Sequence, residues 1–293
     1  MINIKDFRVD KIVLLLSIIR NMNRNMKSVP FKRDARFSKV FQATKFFRDN
    51  PDIYKKIEED KELMDNLSPI LDSEAFEKLY DEALKYREDV ATRWKKLEPI
   101  ISDYCTNTLE LTEEKDILVN IVCPQFYTGT NNMKNEVFWG HMKGTKDISF
   151  DATYIMHEAM HCIFPRRREW SDEQYGVCHS LIELAIDKEL RRRLGGVEDE
   201  FTDGHSDGKK IKAKLMPLWV TFLSQKGGMF KDEAPKNEEF KKYMILAQSN
   251  NVQNMNFAEL MNYCIEHYQE YDLDENTFKV ESKQEKTDVG DER

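Results

Sequence analysis

Apolar positions recur along this chain in two rhythms, and the change falls near residue 115. Up to that point the spacing is three and four, the period of an amphipathic helix, and residues 1–110 are expected to be almost wholly helical. "IVLLLSII" (12–19) is too short to span a bilayer. Asp6 and Asp10 precede it and no small-residue cleavage site comes after it, so it predicts a buried helix and not a signal peptide. From Asp52 to Leu67 the apolar positions are Ile53, Ile57, Leu63, Met64 and Leu67. The next stretch places Phe76, Leu79, Tyr80, Ala83, Val90, Trp94 and Leu97 on one face, with Asp72 or Ser73 to cap it and Pro99 to limit its end.

The texture then changes. "DILVNIVCPQF" (116–126) is β-branched and short, and predicts a strand. "TGTNNMKN" (128–135) reads as a turn, "EVFWGHM" (136–142) as a second strand and "DISF" (147–150) as a third. A helix comes next, through 154–164, with Asp151 as its expected N-cap. A polar connection (166–176) leads into the helix 177–196, which ends in a basic turn and Gly195–Gly196. Residues 197–210 read as a loop. Three further helices are expected at about 211–225, 236–249 and 256–270, the last opened by an Asn256–Glu259 capping box, and residues from 279 onward as a disordered tail. The expected organisation is a helical N-terminal region (1–110), a mixed α+β domain (111–275) and the tail (276–293).

Composition narrows the class without naming it. Of 293 residues 40% are hydrophobic and 33% charged, which suits a globular chain. The net charge of -8 supplies no global basic field, so neither nucleic acid nor a membrane surface is expected as the main partner. Five scattered cysteines, without a CxxC pair, fit reduced thiols and a cytoplasmic location.

The candidate chemistry lies in "YIMHEAMHCIF" (154–164). Histidines at i and i+4 share a helix face, so His157 and His161 can point at one ion. Glu158 lies about 100° around the helix from His157. There it does not compete as a ligand, and it can reach a zinc-bound water and take its proton. The structural alternative is two buried core histidines. A catalytic zinc needs a third protein ligand, and a downstream Gly–His arrangement is missing, since Phe164 and Arg167 stand where it would be. The next helix offers Glu183 and Asp187, four apart and in phase with His179, Leu190 and Leu194, while Lys188, Arg191 and Arg192 are expected to point elsewhere. Two carboxylates on an apolar stripe require partners. A zinc ion for Glu183 and a ligand histidine's N–H for Asp187 would supply them.

HExxH with ExxxD one connection later resembles the gluzincin branch of zincin metallopeptidases, through His157, Glu158, His161, Glu183 and Asp187. The resemblance covers about residues 115–195. It implies an α+β, zincin-like fold with a small twisted sheet and active-site helices, a bound Zn2+, and a peptide or protein substrate laid along an edge strand, for which "EVFWGHM" is the candidate. The oxyanion of peptide hydrolysis calls for a Tyr or His. Tyr175 is the best placed, ahead of His205, Tyr243, Tyr263 and His267. Arg166–Arg168 are candidates to line a cleft, His141 to touch substrate, and Cys162 to be a packing thiol; "TDGHSDG" (202–208) reads as a simple loop and not a calcium site. The N-terminal helices are expected to form a lid, a recognition surface or a dock for a protein partner. The rival readings are a highly selective protease acting as a toxin or regulatory switch, and a non-catalytic helical interaction protein with a structural metal.

Overall fold

A computed structural model describes residues 2–25, 53–122, 128–141, 149–196, 208–228, 238–271 and 273. Its elements are β1 (Ile2–Arg8), α1 (Lys11–Asn25), α2 (Ile53–Glu59), α3 (Lys61–Leu71), α4 (Glu74–Asp103), β2 (Lys115–Ile121), β3 (Thr128–Asn131), β4 (Glu136–Gly140), α5 (Ser149–Ile163), α6 (Asp172–Ile182), α7 (Lys209–Leu223), α8 (Glu238–Ser249) and α9 (Phe257–Glu266). The class is α+β: mostly helix, with one four-stranded sheet. No helix among the described residues is long and apolar enough to cross a membrane. The chain divides into two compact units. One comprises 2–98 with 114–165; the other comprises 99–113 with 166–293.

The first unit holds the sheet, in the order β1-β2-β4-β3. β1 and β4 both pair parallel with β2, and β3 pairs antiparallel with β4 through Thr130 opposite Phe138. The first strand is a correction, because residues 1–110 were expected to be helical. Ile2, Ile4 and Phe7 are its buried positions, and a bulge between Ile4 and Asp6 turns a spacing of two into a spacing of three. That irregularity mimics the helical rhythm. "TGTNNMKN" is corrected too. Its first four residues are strand, and Asn132 makes the turn by accepting hydrogen bonds from the backbone N–H of Lys134, Asn135 and Glu136. As a result β4 ("EVFWG") lies inside the sheet, not at its edge, with every residue buried.

Alternation along β4 sends neighbouring side chains to opposite faces. Phe138 joins an apolar cluster with Val13 and Leu14 of α1, Ile57 of α2, Leu67 of α3 and Phe76 and Ala83 of α4. Trp139 instead stacks on Tyr154 of α5, ring centroids 5.8 Å apart and planes 4° from parallel. The expected buried helix over 12–19 is present as part of α1. Ser73 is the cap of α4, its Oγ accepting from the Phe76 N–H at 3.2 Å. Pro99 does not end that helix, which runs to Asp103 with Leu97 and Ile101 buried on either side. The third strand expected at 147–150 is corrected as well: Ser149 and Phe150 begin α5, while 147–148 lie outside the described residues.

The second unit, as described, is helical. α6 starts at a capping box in which Ser171 Oγ accepts from the Gln174 N–H and Gln174 Oε1 accepts from the Ser171 N–H. From Glu183 to Leu190 the helix widens into a π stretch and then closes through Arg191–Arg193. It terminates as expected. Gly195 takes φ +74°, the Gly195 N–H donates to Arg192 O, and the Gly196 N–H donates to Arg191 O. α9 opens with the Asn256–Glu259 capping box read from the sequence. Trp219 and Phe222 of α7 pack against Phe257 of α9. The loop reading of 202–208 and the tail lie outside the described residues, apart from Gly208.

Candidate functional site

In the first unit, α5 is buried along its whole length except at Glu158, which is half-buried. His157 and His161 are each 5% exposed, and their rings sit 5.0 Å apart, edge to face. The i, i+4 spacing therefore does what the sequence predicts: it places two imidazoles side by side on one face. Glu158 is held from the sheet. Asn131, the last residue of β3, donates from Nδ2 to Glu158 Oε2 at 2.7 Å, and its own Oδ1 accepts from the Met133 N–H. Two residues earlier on the same edge strand, Gly129 passes so close that a Cβ there would stand 2.9 Å from Glu158 Oε1 and 3.4 Å from the Trp139 ring. A side chain there would have to displace the Glu158 carboxylate.

Sequence reasoning missed both Gly129 and Asn131, because glycine and asparagine are poor strand formers and good turn formers. The one signal present was the pair of flanking threonines, at 128 and 130, ahead of a turn and a strand.

Asp151 was expected to cap α5. Instead it lies inside the first turn, and its carboxylate ties the helix to other elements. Oδ1 accepts from Tyr86 Oη at 2.6 Å and Trp139 Nε1 at 2.9 Å, and Oδ2 meets Arg93 at 2.6 Å. His141 lies behind them, with Nδ1 3.9 Å from Asp151 and its ring 4.4 Å from that of Phe150. It is buried and not on an open edge, which corrects the expectation that it touches substrate. Burial holds its pKa below the ordinary imidazole value, Asp151 pulls the other way, and Arg93 reinforces the burial. Cys162 is a packing thiol, as expected, pushed up to about 12 by burial.

In the second unit, Tyr175 lies in α6, its ring stacked with His179 at 6.1 Å and the Arg166 guanidinium 4.9 Å away over it. Arg166 also pairs with Asp172, and Arg167 lies over Trp170. Among the other oxyanion candidates, Tyr243 is buried and Tyr263 is paired with Tyr271 Oη at 3.1 Å, while His205 lies outside the described residues.

Glu183 opens the π stretch and is 2% exposed. Its Oε2 meets Lys212 Nζ at 2.8 Å and its Oε1 stands 3.8 Å from His179 Nε2. Lys212 belongs to α7 and is itself buried. Sequence analysis overlooked it, although the signal was there: Lys212 falls in phase with Leu215 and Trp219, on the face α7 buries. The fit is close enough that a Cβ on Gly208 would reach 3.0 Å from Glu183 Oε2. Asp187 is buried, as the stripe predicted. Arg191 was expected to point away and is fully buried, because the π stretch shifts the phase of the residues after it. Glu189, also buried, pairs with Arg193 at 2.9 Å.

Compared with known protein families, curated proteins and solved structures, the chain matches none of them.

Proposed function

We propose that this chain is a zinc-dependent metallopeptidase with a zincin-like fold of the gluzincin type, acting on peptide or protein substrates in the cytoplasm. The observation that carries the reading is the setting of Glu158. Two core histidines need no carboxylate beside them, yet Glu158 is gripped by Asn131 and given room by Gly129, one position from His157. Two buried imidazoles one turn apart, with that carboxylate between them in sequence, are a donor set that suits zinc. In this reading His157, His161 and Glu183 hold the ion and Asp187 orients a ligand histidine. A bound zinc supplies Lewis acidity at the scissile carbonyl and at water. Glu158 takes the proton from the attacking water and returns it to the leaving amine. Tyr175 serves as the hydrogen-bond donor to the oxyanion. The N-terminal helices then serve as lid, recognition surface or docking element, and a selective, regulatory protease is the form of the activity that would use them.

A second ligand set is favoured by one observation. Glu183 is already ion-paired with Lys212, while His179 precedes it by one turn of the same helix. In that set His179 takes the place of Glu183 as the third ligand, and Glu183 supports His179. Elemental mass spectrometry on purified wild type, Glu183→Ala and His179→Ala separates the two. About one zinc per chain, lost in Glu183→Ala and kept in His179→Ala, supports the first set. The reverse pattern supports the second. No zinc in wild type after zinc is offered sinks both, and the non-catalytic interaction protein takes their place. With zinc present, Glu158→Gln should keep the metal and lose roughly 100- to 10,000-fold in peptide hydrolysis.

A further inference from the structure

Asn131 holds Glu158, yet a four-residue strand of Thr, Gly, Thr and Asn has little intrinsic preference to place it. What fixes the end of that strand lies on the other face of the sheet. Asn131 pairs with Val137, so its side chain shares the face of Trp139 and α5. The side chain of Asn132 lies on the opposite face, where Nδ2 donates to Glu136 Oε2 at 3.2 Å. The same amide makes the turn, since its Oδ1 accepts from the N–H of Lys134, Asn135 and Glu136 at 3.0, 2.9 and 2.9 Å. The other oxygen of Glu136, Oε1, accepts from an Arg8 Nη at 3.2 Å, and Arg8 Nε donates to Asn120 Oδ1 at 2.6 Å. These bonds run from β1 through β2 and β4 to the turn. Glu136 is buried at 5% exposure. A hairpin turn needs no buried carboxylate to close, and burying one costs desolvation that an apolar residue would avoid.

We propose that Arg8, Glu136 and Asn132 are positioning residues for Glu158, a relay on one face of the sheet that aims the carboxylate on the other. Its effect on catalysis rests on the metallopeptidase reading, while its effect on Asn131 does not. Arg8 braces Glu136, and Glu136 fixes the rotation of the Asn132 amide. That amide sets the turn, and the turn sets Asn131, its neighbour in sequence. If the amide rotates, the hairpin end moves and Asn131 is drawn off Glu158 Oε2. A base displaced in this way lowers turnover without loosening the substrate. Arg8 suits its place because its fork engages Asn120 and Glu136 at once, which the single ammonium of a lysine cannot do.

The test is an exchange of charge across the relay in the full chain. Arg8 and Asn132 both donate to Glu136, so Glu136→Gln must set an amide N–H against one of them. Asn132→Asp sets two carboxylates together. The double variant Asn132→Asp/Glu136→Gln restores the link with donor and acceptor exchanged, the introduced amide donating to the introduced carboxylate and accepting from Arg8. The readout that needs neither zinc nor turnover is the side-chain amide resonance of Asn131 in 15N-labelled protein, assigned by its loss in Asn131→Ser. It should move in each single variant and return in the double. In hydrolysis, kcat should fall by about tenfold in the single variants at unchanged KM, and recover in the double. Arg8→Lys keeps the positive charge and should move the same resonance, so it serves where a single variant does not fold. An Asn131 resonance that stays in place in the folded variants overturns the relay, whatever their melting temperatures do. A displacement that the double variant does not reverse overturns it too. Hydrolysis with an unmoved resonance overturns the relay alone. A resonance that moves and returns in a chain that takes no zinc overturns the catalytic reading while the relay stands.

Discussion

The two units hold their acidic groups by opposite means. In the first, Glu158 is half-buried and restrained by a neutral donor, Asn131, on a four-residue strand. In the second, Glu183 is fully buried and restrained by a charged donor, Lys212, on a neighbouring helix. A neutral hydrogen bond orients a carboxylate without itself bringing an opposite charge to it. An ion pair in a buried setting recovers most of what desolvation costs but ties both groups together. The contrast teaches that an acidic residue's partner indicates its role better than its burial does.

The largest effect expected from that contrast is on stability. Glu183→Ala leaves the Lys212 ammonium buried without its carboxylate, and should cost roughly 3–5 kcal/mol in denaturant unfolding. The double variant Glu183→Ala/Lys212→Ala should cost less than the single, because no charge is stranded. A double variant as unstable as the sum of its parts would break the comparison by showing that the pair carries no coupling. A smaller effect is expected at the other carboxylate. Gly129→Ala drives a methyl to within 2.9 Å of Glu158 Oε1. If Glu158 is the base, peptide hydrolysis should fall by about tenfold while unfolding moves by less than about 1 kcal/mol. A large loss of stability with unchanged turnover would show that the strand, not the carboxylate, needs the glycine.

The smallest effect is a pH dependence in the first unit. Folding holds the His141 pKa below the ordinary 6.5. The unfolded chain therefore accepts a proton below pH 6.5 that the folded chain refuses, and stability should decline as the pH falls through that value. The slope from this one group cannot exceed about 1.4 kcal/mol per pH unit. Replacing His141 with Phe, which suits its stacked place on Phe150, should flatten the profile between pH 6.5 and the acid limit set by the carboxylates. An unchanged slope in thermal melts would assign the decline to other groups.

Legibility in the sequence tracked how local each signal was. The buried helix at 12–19, the cap at Asn256 and the stop at Gly195 depend on residues a turn apart, and the structure bears them out. His157 and His161 were paired correctly for the same reason. The failures all depend on distant partners. β1 exists because it pairs with β2 more than a hundred residues later, and its bulge disguised the alternation. β3 exists because β4 pairs with it, against the preferences of glycine and asparagine. Asp151 reads locally as a cap, yet it bonds Tyr86 and Arg93 from a helix some sixty residues earlier. Asn131 was invisible to periodicity for this reason, while Lys212 shared the buried phase of Leu215 and Trp219 but not the identity of its partner.

The π stretch from Glu183 to Leu190 also makes the helix sensitive to chain length itself. A wide turn stores one residue more than an α-helical path of the same rise would need. Removing a single residue there would return the helix to ordinary winding. The helix on either side would keep its rise, and the residues within the stretch would change face. Glu183, which opens the stretch, would keep its place while Glu189 within it was aimed elsewhere. Natural variants of this chain should therefore tolerate substitutions along that segment far more readily than a change in its count of residues.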